Sequence, residues 1–254
     1  RLRKRSKAWI NSLDSLIYNP DAVGPKFLNP KETLRHIMRS KLTVKICGMN
    51  SQTAIDTAIA SGVDYLGFVF FPPSPRSLTP EIASSLVEKR SDDFKVVAVV
   101  VNPSDNLLEE ISNHLAPDII QLHGSETAED ITKIKQKFNT KIIKAIKISE
   151  RKDFEEVSKF DKVADFLLFD AAAPVNTAHS LPGGNGISFN WNWLSNASLA
   201  TPWFLSGGLN ISNINEAIET TGATAVDVSS GVEDKAGIKN NKKIIEFMKT
   251  VRTL

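Results

Sequence analysis

Thr43-Val44-Lys45-Ile46-Cys47-Gly48 is the stretch around which the rest of the chain reads. Its alternation sets Val44 and Ile46 on one face and Thr43, Lys45 and Cys47 on the other, the pattern of a strand with one apolar side, which Gly48 then ends. Cys47 is the only cysteine in the 254 residues. A free cysteine is most often a small buried hydrophobe. A thiol at the carboxyl end of a strand also stands where a parallel α/β sheet or barrel presents its active site. The surrounding sequence has to decide between the two.

Downstream, short apolar runs alternate with helical periods. Strands are predicted at 43–47, 65–70, 95–101, 118–122, 142–146, 165–169, 203–205 and 225–228. Between them, apolar residues recur at helical spacing: Ala54, Ile55, Ala58 and Ile59; Leu107, Leu108, Ile111 and Leu115; Ile211, Ile214, Ala217 and Ile218. Thr79-Pro80-Glu81 offers a cap, a proline at the first helical position and an early acid, and Ser104, Ser125 and Asn210 are further cap candidates. Ile244, Ile245, Phe247, Met248 and Val251 predict a closing amphipathic helix. An open doubly wound sheet shares this local grammar, but eight strand–helix units over about 210 residues indicate an α/β fold of the (β/α)8 barrel class, over 43–254.

Residues 1–42 lack that rhythm. They hold ten Lys or Arg against three acids, whereas the remainder holds 21 basic and 26 acidic residues. Arg1-Leu-Arg-Lys-Arg5 and the turn signals between Asn19-Pro20 and Asn29-Pro30 suit a targeting leader, a basic arm or an appendage. A dispensable basic N-terminal extension, flexible or partly helical, is expected. The mildly acidic body argues against nucleic acid as a partner. No run reaches the roughly 18 apolar residues of a membrane span, so no membrane is expected. One cysteine excludes an internal disulfide and a cysteine-based metal cluster, which points to a reducing, cytoplasmic location. No coiled-coil heptad is present, and a monomer is the default.

In such a barrel, chemistry sits in the loops after the strands. Ser206-Gly207-Gly208-Leu209-Asn210 follows the seventh strand and Ser229-Ser230-Gly231 the eighth; glycines let backbone N–H groups approach an anion, so this pair of loops suits a phosphate. Asp170 ends the sixth strand as Cys47 ends the first. The long irregular segment that follows, 171–186, closes on Gly183-Gly184-Asn185-Gly186 and suits a binding loop. After the second strand, Phe71-Pro-Pro-Ser-Pro-Arg76-Ser77 holds an arginine on a stiff loop, suited to a carboxylate. Gln121 and His123 close the fourth strand. With no second histidine or acid at ligand spacing, His123 reads as a polar lining residue.

Lys45-Ile-Cys47-Gly48, Ser74-Pro-Arg76, Gln121-Leu-His-Gly124, Asp170, Gly183-Gly-Asn-Gly186, Ser206-Gly-Gly-Leu209 and Val226-Asp-Val-Ser-Ser-Gly-Val-Glu233, in this order, resemble the phosphoribosylanthranilate isomerase family of tryptophan biosynthesis. The resemblance spans residues 43–254. It implies a cofactor-free, metal-free Amadori rearrangement of N-(5-phosphoribosyl)anthranilate to 1-(2-carboxyphenylamino)-1-deoxyribulose 5-phosphate. It makes Cys47 the general base and Asp170 the general acid. It sets Arg76 at the anthranilate carboxylate, and places Gln121, His123 and Asp227 against the substrate. Its phosphate lies among Gly184, Asn185, Gly186, Gly207, Gly208, Ser229, Ser230 and Gly231. Two departures stand out: the family more often reads Gly-Gly-Thr/Ser-Gly and Phe-Asp-Trp, where this chain has Asn185 and Asn190.

The division of labour is chemically sensible. Ring opening needs a proton delivered to the furanose oxygen, and ketose formation needs one removed from the adjacent carbon. Asp170 is then expected to have a raised pKa and Cys47 a lowered one, with Lys45 helping by its charge. The alternatives are another phosphate-binding barrel isomerase or epimerase, or a phosphosugar-binding barrel without chemistry. The last requires neither Cys47 nor Asp170.

Overall fold

Eight parallel strands follow one another in chain order around a closed barrel, the last hydrogen-bonded to the first. The structure is a computed structural model that describes residues 42–88, 90–172, 186, 188–195 and 199–254. Except for Leu42, the expected extension lies outside these residues, as do Gly184 and Asn185 of the expected phosphate loop.

The strands are β1 (Thr43–Cys47), β2 (Tyr65–Phe70), β3 (Lys95–Val100), β4 (Ile119–Leu122), β5 (Lys141–Ile148), β6 (Phe166–Ala171), β7 (Trp203–Leu205) and β8 (Ala225–Val228). Because side chains alternate, each strand feeds two cores. Val44, Ile46 and their counterparts pack outward under the helices. Cys47, Val97, Ile143, Leu168 and Phe204 pack inside the barrel, where Phe204 meets Tyr65 edge-on at a centroid distance of 5.5 Å. The polar face of β1 is therefore the barrel interior, and Lys45 is completely buried.

Helices α1 (Gln52–Ala60), α2 (Pro80–Leu86), α3 (Asp105–His114), α4 (Ala128–Phe138), α5 (Val157–Phe160), α6 (Ile214–Thr221) and α7 (Asn241–Arg252) lie between and after the strands. Thr79 and Ser104 cap α2 and α3 as expected, accepting from the N–H groups of Ile82 and Leu107. Two cap expectations need correction. Thr127, not Ser125, caps α4, because Asp130 stands three residues on and completes a reciprocal capping box. Asn210 opens a turn before α6 instead, accepting from Ser212 N at 2.8 Å. Among the described residues, the only helical segment between β6 and β7 is the 3₁₀ turn Trp191–Trp193, which Asn190 caps. A small hairpin, β9 (Glu233–Lys235) with β10 (Ile238–Lys239), interrupts the connection from β8 to α7. Among the described residues, no helix is long and apolar enough to cross a membrane.

One device recurs at the amino ends of the strands. Asp64, Asp118 and Asp165, each just before an even-numbered strand, accept the N–H of Val44, Val96 and Ile142 at 2.9, 2.7 and 2.8 Å. Each carboxylate is also paired with a cation: Arg252, Arg90 and Lys135. These ties lie at the end of the barrel opposite the loops that carry chemistry, where side chains serve stability. Asp165→Ala should therefore lower unfolding free energy by about 1–3 kcal/mol in urea titration while kcat and KM stay at wild-type values.

Candidate active site

At the carboxyl ends of the strands lies a cavity, open to solvent and walled by Cys47, Arg76, His123, Asp170, Asp227 and the loops 206–209 and 229–230. Residues widely separated in sequence thus converge as expected. Three expected members stand apart. Gln121 lies beneath the cavity, wholly buried, with its side chain 3.3 Å from His123 Nδ1. Gly231 packs against the backbone of Leu209 and Asn210. Gly186 is exposed, and a Cβ placed there would lie 3.7 Å from Ser230 Oγ.

The thiol sits over an ion pair. Lys45 Nζ donates to Asp227 Oδ1 at 3.0 Å, and the two residues are register partners where β1 meets β8. Burial would lower the Lys45 pKa, but Asp227 and Cys47 together outweigh it and the ammonium is held above its ordinary value. For Cys47 the expected depression is not what the free protein shows. Burial pushes the thiol up, Asp227 adds to this, and the Lys45 and Lys239 ammonium groups oppose it without overcoming it. The sequence shows a lysine two residues from a cysteine, but neither the depth of the pair nor the carboxylate that partly cancels its charge.

Gly67 on β2 pairs with Cys47. A Cβ there would lie 3.1 Å from both Cys47 Cα and Sγ, so only glycine leaves the thiol its present place. Across the mouth, Asp170 is 4% exposed and accepts the N–H of Ala171 at 3.0 Å. His123 Nε2 is 3.3 Å from Asp170 Oδ2, but poorly aligned for a hydrogen bond. Behind His123, Glu126 accepts from Gly124 N at 2.9 Å and Asn102 N at 2.8 Å, and Lys144 Nζ reaches Glu126 Oε2 at 2.7 Å and Gly124 O at 2.8 Å. This fully bonded cluster braces the β4 loop.

Arg76 is buried. Its Nε and Nη2 donate to the two oxygens of Glu233 at 2.8 and 2.7 Å, and Lys239 Nζ meets Glu233 Oε1 at 2.6 Å. Burial would raise the Glu233 pKa, but the two cations hold it below the usual carboxylate range. Lys239 also donates to Ser229 O at 3.0 Å, and Ser229 Oγ to Cys47 O at 3.0 Å. Sequence reasoning assigned no role to Gly67, Glu126, Lys144, Glu233 or Lys239. Of these, only Glu233 fell within a quoted motif.

A family model for N-(5'-phosphoribosyl)anthranilate (PRA) isomerase matches residues 44–250. The chain belongs to that family. The isomerase of Paramagnetospirillum magneticum is 44% identical over 209 residues, 82% of this chain and 96% of the relative, and that of Rhodospirillum centenum is 43% identical over 205 residues, 81% and 95%. Among solved structures, the isomerase of Thermotoga maritima superposes with a TM-score of 0.74 at 30% identity, covering 84% of this chain and all of that one. An isomerase crystallised with reduced 1-(o-carboxyphenylamino)-1-deoxyribulose 5-phosphate gives 0.70 at 29% identity, again over 84% and all of the two chains.

The geometry under Cys47 fixes the sign of one perturbation. Lys45→Met removes a cation that lowers the thiol pKa, so the limb of kcat/KM that rises with thiolate formation should move to higher pH. It also strands a buried carboxylate, costing about 3–5 kcal/mol in denaturant titration. An unmoved limb in a folded variant would remove Lys45 from the chemistry.

Proposed function

We propose that this chain isomerises N-(5-phosphoribosyl)anthranilate to 1-(2-carboxyphenylamino)-1-deoxyribulose 5-phosphate, with Cys47 as general base and Asp170 as general acid. The observation that carries the assignment is their joint presence on one cavity wall system, at the ends of β1 and β6, beside a buried arginine and two glycine- and serine-rich loops. Asp170 gives its proton to the furanose oxygen as the C1–O bond breaks, and the nitrogen lone pair forms the C1=N bond. The Cys47 thiolate then takes the C2 proton, and the released electron pair forms C1=C2 while neutralising the iminium. Ketonisation of that enol, with a proton reaching C1, completes the isomer. A thiol whose pKa is raised by burial is scarce as thiolate but strongly basic once formed, which suits removal of a carbon-bound proton.

Arg76 meets the anthranilate carboxylate as a charge-assisted partner. Backbone N–H groups of Gly207, Gly208, Ser229, Ser230 and Gly231, with Gly184, Asn185 and Gly186 from the loop after β6, hold the phosphate. His123 and Asp227 line the substrate, and Gln121 steadies His123 from below. A cytoplasmic site of action is supported by the single cysteine. A monomer is supported by the scatter of Ile82, Ile238 and Ile245, the exposed large apolar side chains among the described residues, over three separate elements. Sedimentation equilibrium should give one protomer's mass; a stable dimer would refute the monomer.

Fluorescence-monitored turnover of freshly made phosphoribosylanthranilate tests the chemistry. Wild type should turn over unaffected by a chelator, and Cys47→Ser and Asp170→Asn should each lose about 10²–10⁴-fold in kcat/KM while remaining folded. A folded wild type that binds the reduced ribulose 5-phosphate analogue without turnover would leave only a phosphosugar-binding barrel.

A further inference from the structure

Glu233 makes no hydrogen bond to Cys47 or Asp170, yet four hydrogen bonds converge on its carboxylate. It sits buried at the start of the β9–β10 hairpin, between Arg76 and Lys239. Both Glu233 oxygens are engaged by the Arg76 fork, Lys239 joins at Oε1, and Gly237 N donates to Oε2 at 3.3 Å. An arginine side chain has several freely turning bonds, and a single ion pair would leave its planar head undirected. Two parallel N–H···O bonds to one carboxylate fix both the position and the plane of the guanidinium.

The rest of Arg76 is constrained by shape. Gly48 has φ +75°, and a Cβ there would fall 2.4 Å from Arg76 Cδ, so the arginine stem runs directly across the turn that follows Cys47. At the hairpin tip, Gly237 fits against Pro75 O, where a Cβ would approach to 2.5 Å. Asn50 Nδ2 donates to Gly237 O at 2.8 Å, tying the hairpin to the segment after β1. Stem, loop and head of Arg76 are thus held at three points, the first by the turn after β1 and the other two by the hairpin.

We propose that Glu233 is a positioning residue for substrate selection: by holding the guanidinium plane of Arg76 it fixes the direction from which a carboxylate on the substrate's aromatic ring is accepted. This rests on Arg76 being the carboxylate partner. The cost of orienting the arginine is met during folding and not at each binding event, so selectivity for a carboxylated substrate depends on Glu233 without Glu233 touching that substrate.

The test compares two probes on purified full-length protein: reduced 1-(o-carboxyphenylamino)-1-deoxyribulose 5-phosphate, and the same compound made from aniline, which lacks only the carboxylate. The ratio of their inhibition constants reports carboxylate recognition and cancels losses common to both. Glu233→Gln keeps the side chain's length and should narrow that ratio by about tenfold, through weaker binding of the carboxylated probe alone. Arg76→Met should abolish the preference, and adding Glu233→Gln to it should narrow the ratio no further. If Arg76→Met abolishes the preference and Glu233→Gln leaves the ratio unchanged, the positioning role is wrong while the carboxylate assignment stands. If Arg76→Met leaves the ratio unchanged, the carboxylate assignment itself fails. Should Glu233→Gln not fold, Glu233→Asp keeps a charge for Lys239 but withdraws the carboxylate by one methylene from Arg76, and must narrow the ratio in the same direction for the proposal to survive.

Discussion

The Lys45–Asp227 pair occupies the seam at which the barrel closes. β8 is tied to β7 at the register pair Leu205 and Val226, whereas four register pairs join it to β1. Within that seam a fully buried ammonium and a carboxylate 6% exposed meet at 3.0 Å. Neither charge is tolerable in an apolar interior alone, so the sheet cannot slip by one residue at the seam without stranding both. Two residues further along β1, the same alternation delivers Cys47 to the mouth. The interaction that specifies closure therefore also sets the electrostatics under the thiol, with a cation that favours thiolate and a carboxylate that tempers it.

The two ends of the barrel divide stability from chemistry. At the amino ends, Asp64, Asp118 and Asp165 join strands of successive pairs through backbone N–H groups and surface cations. At the carboxyl ends, charged side chains are buried in groups: Lys45 with Asp227, Lys144 with Glu126, and Glu233 with Arg76 and Lys239. Such groups add less to stability than apolar packing of the same volume. What they supply is a fixed disposition of charge around the cavity, which a reaction with a developing iminium and two anionic substituents requires.

The strands were legible because parallel strands buried on both faces read as apolar runs with sharp polar borders. For β1, β2, β7 and β8 the borders agree to the residue. β5 runs further at both ends than its apolar core, because Lys141 and Lys147 sit at exposed positions of an otherwise buried strand. The cap of α4 was missed because a serine two residues early looked equally suitable, and only the reciprocal bond with Asp130 decides between them. Cys47, Asp170, Arg76 and the loop glycines and serines could be singled out because each stands at the carboxyl end of a strand or in the loop that follows it. Glu233 and Lys239 could not, because a hairpin outside the repeating pattern carries them, and their partner Arg76 lies 157 positions away from Glu233 in sequence. The sign of the Cys47 shift was missed for a related reason: a nearby lysine is visible in sequence, whereas the burial of the thiol and the Asp227 carboxylate arise only from closure.

Iodoacetamide alkylation of the sole cysteine, followed by mass as a function of pH, tests the claim that this seam governs the thiol. Asp227→Asn removes the carboxylate that opposes thiolate formation and leaves Lys45 in place, so the alkylation midpoint should fall below that of wild type. A midpoint that stays put or rises in the folded variant would contradict the account, because Cys47 would then be governed by burial alone.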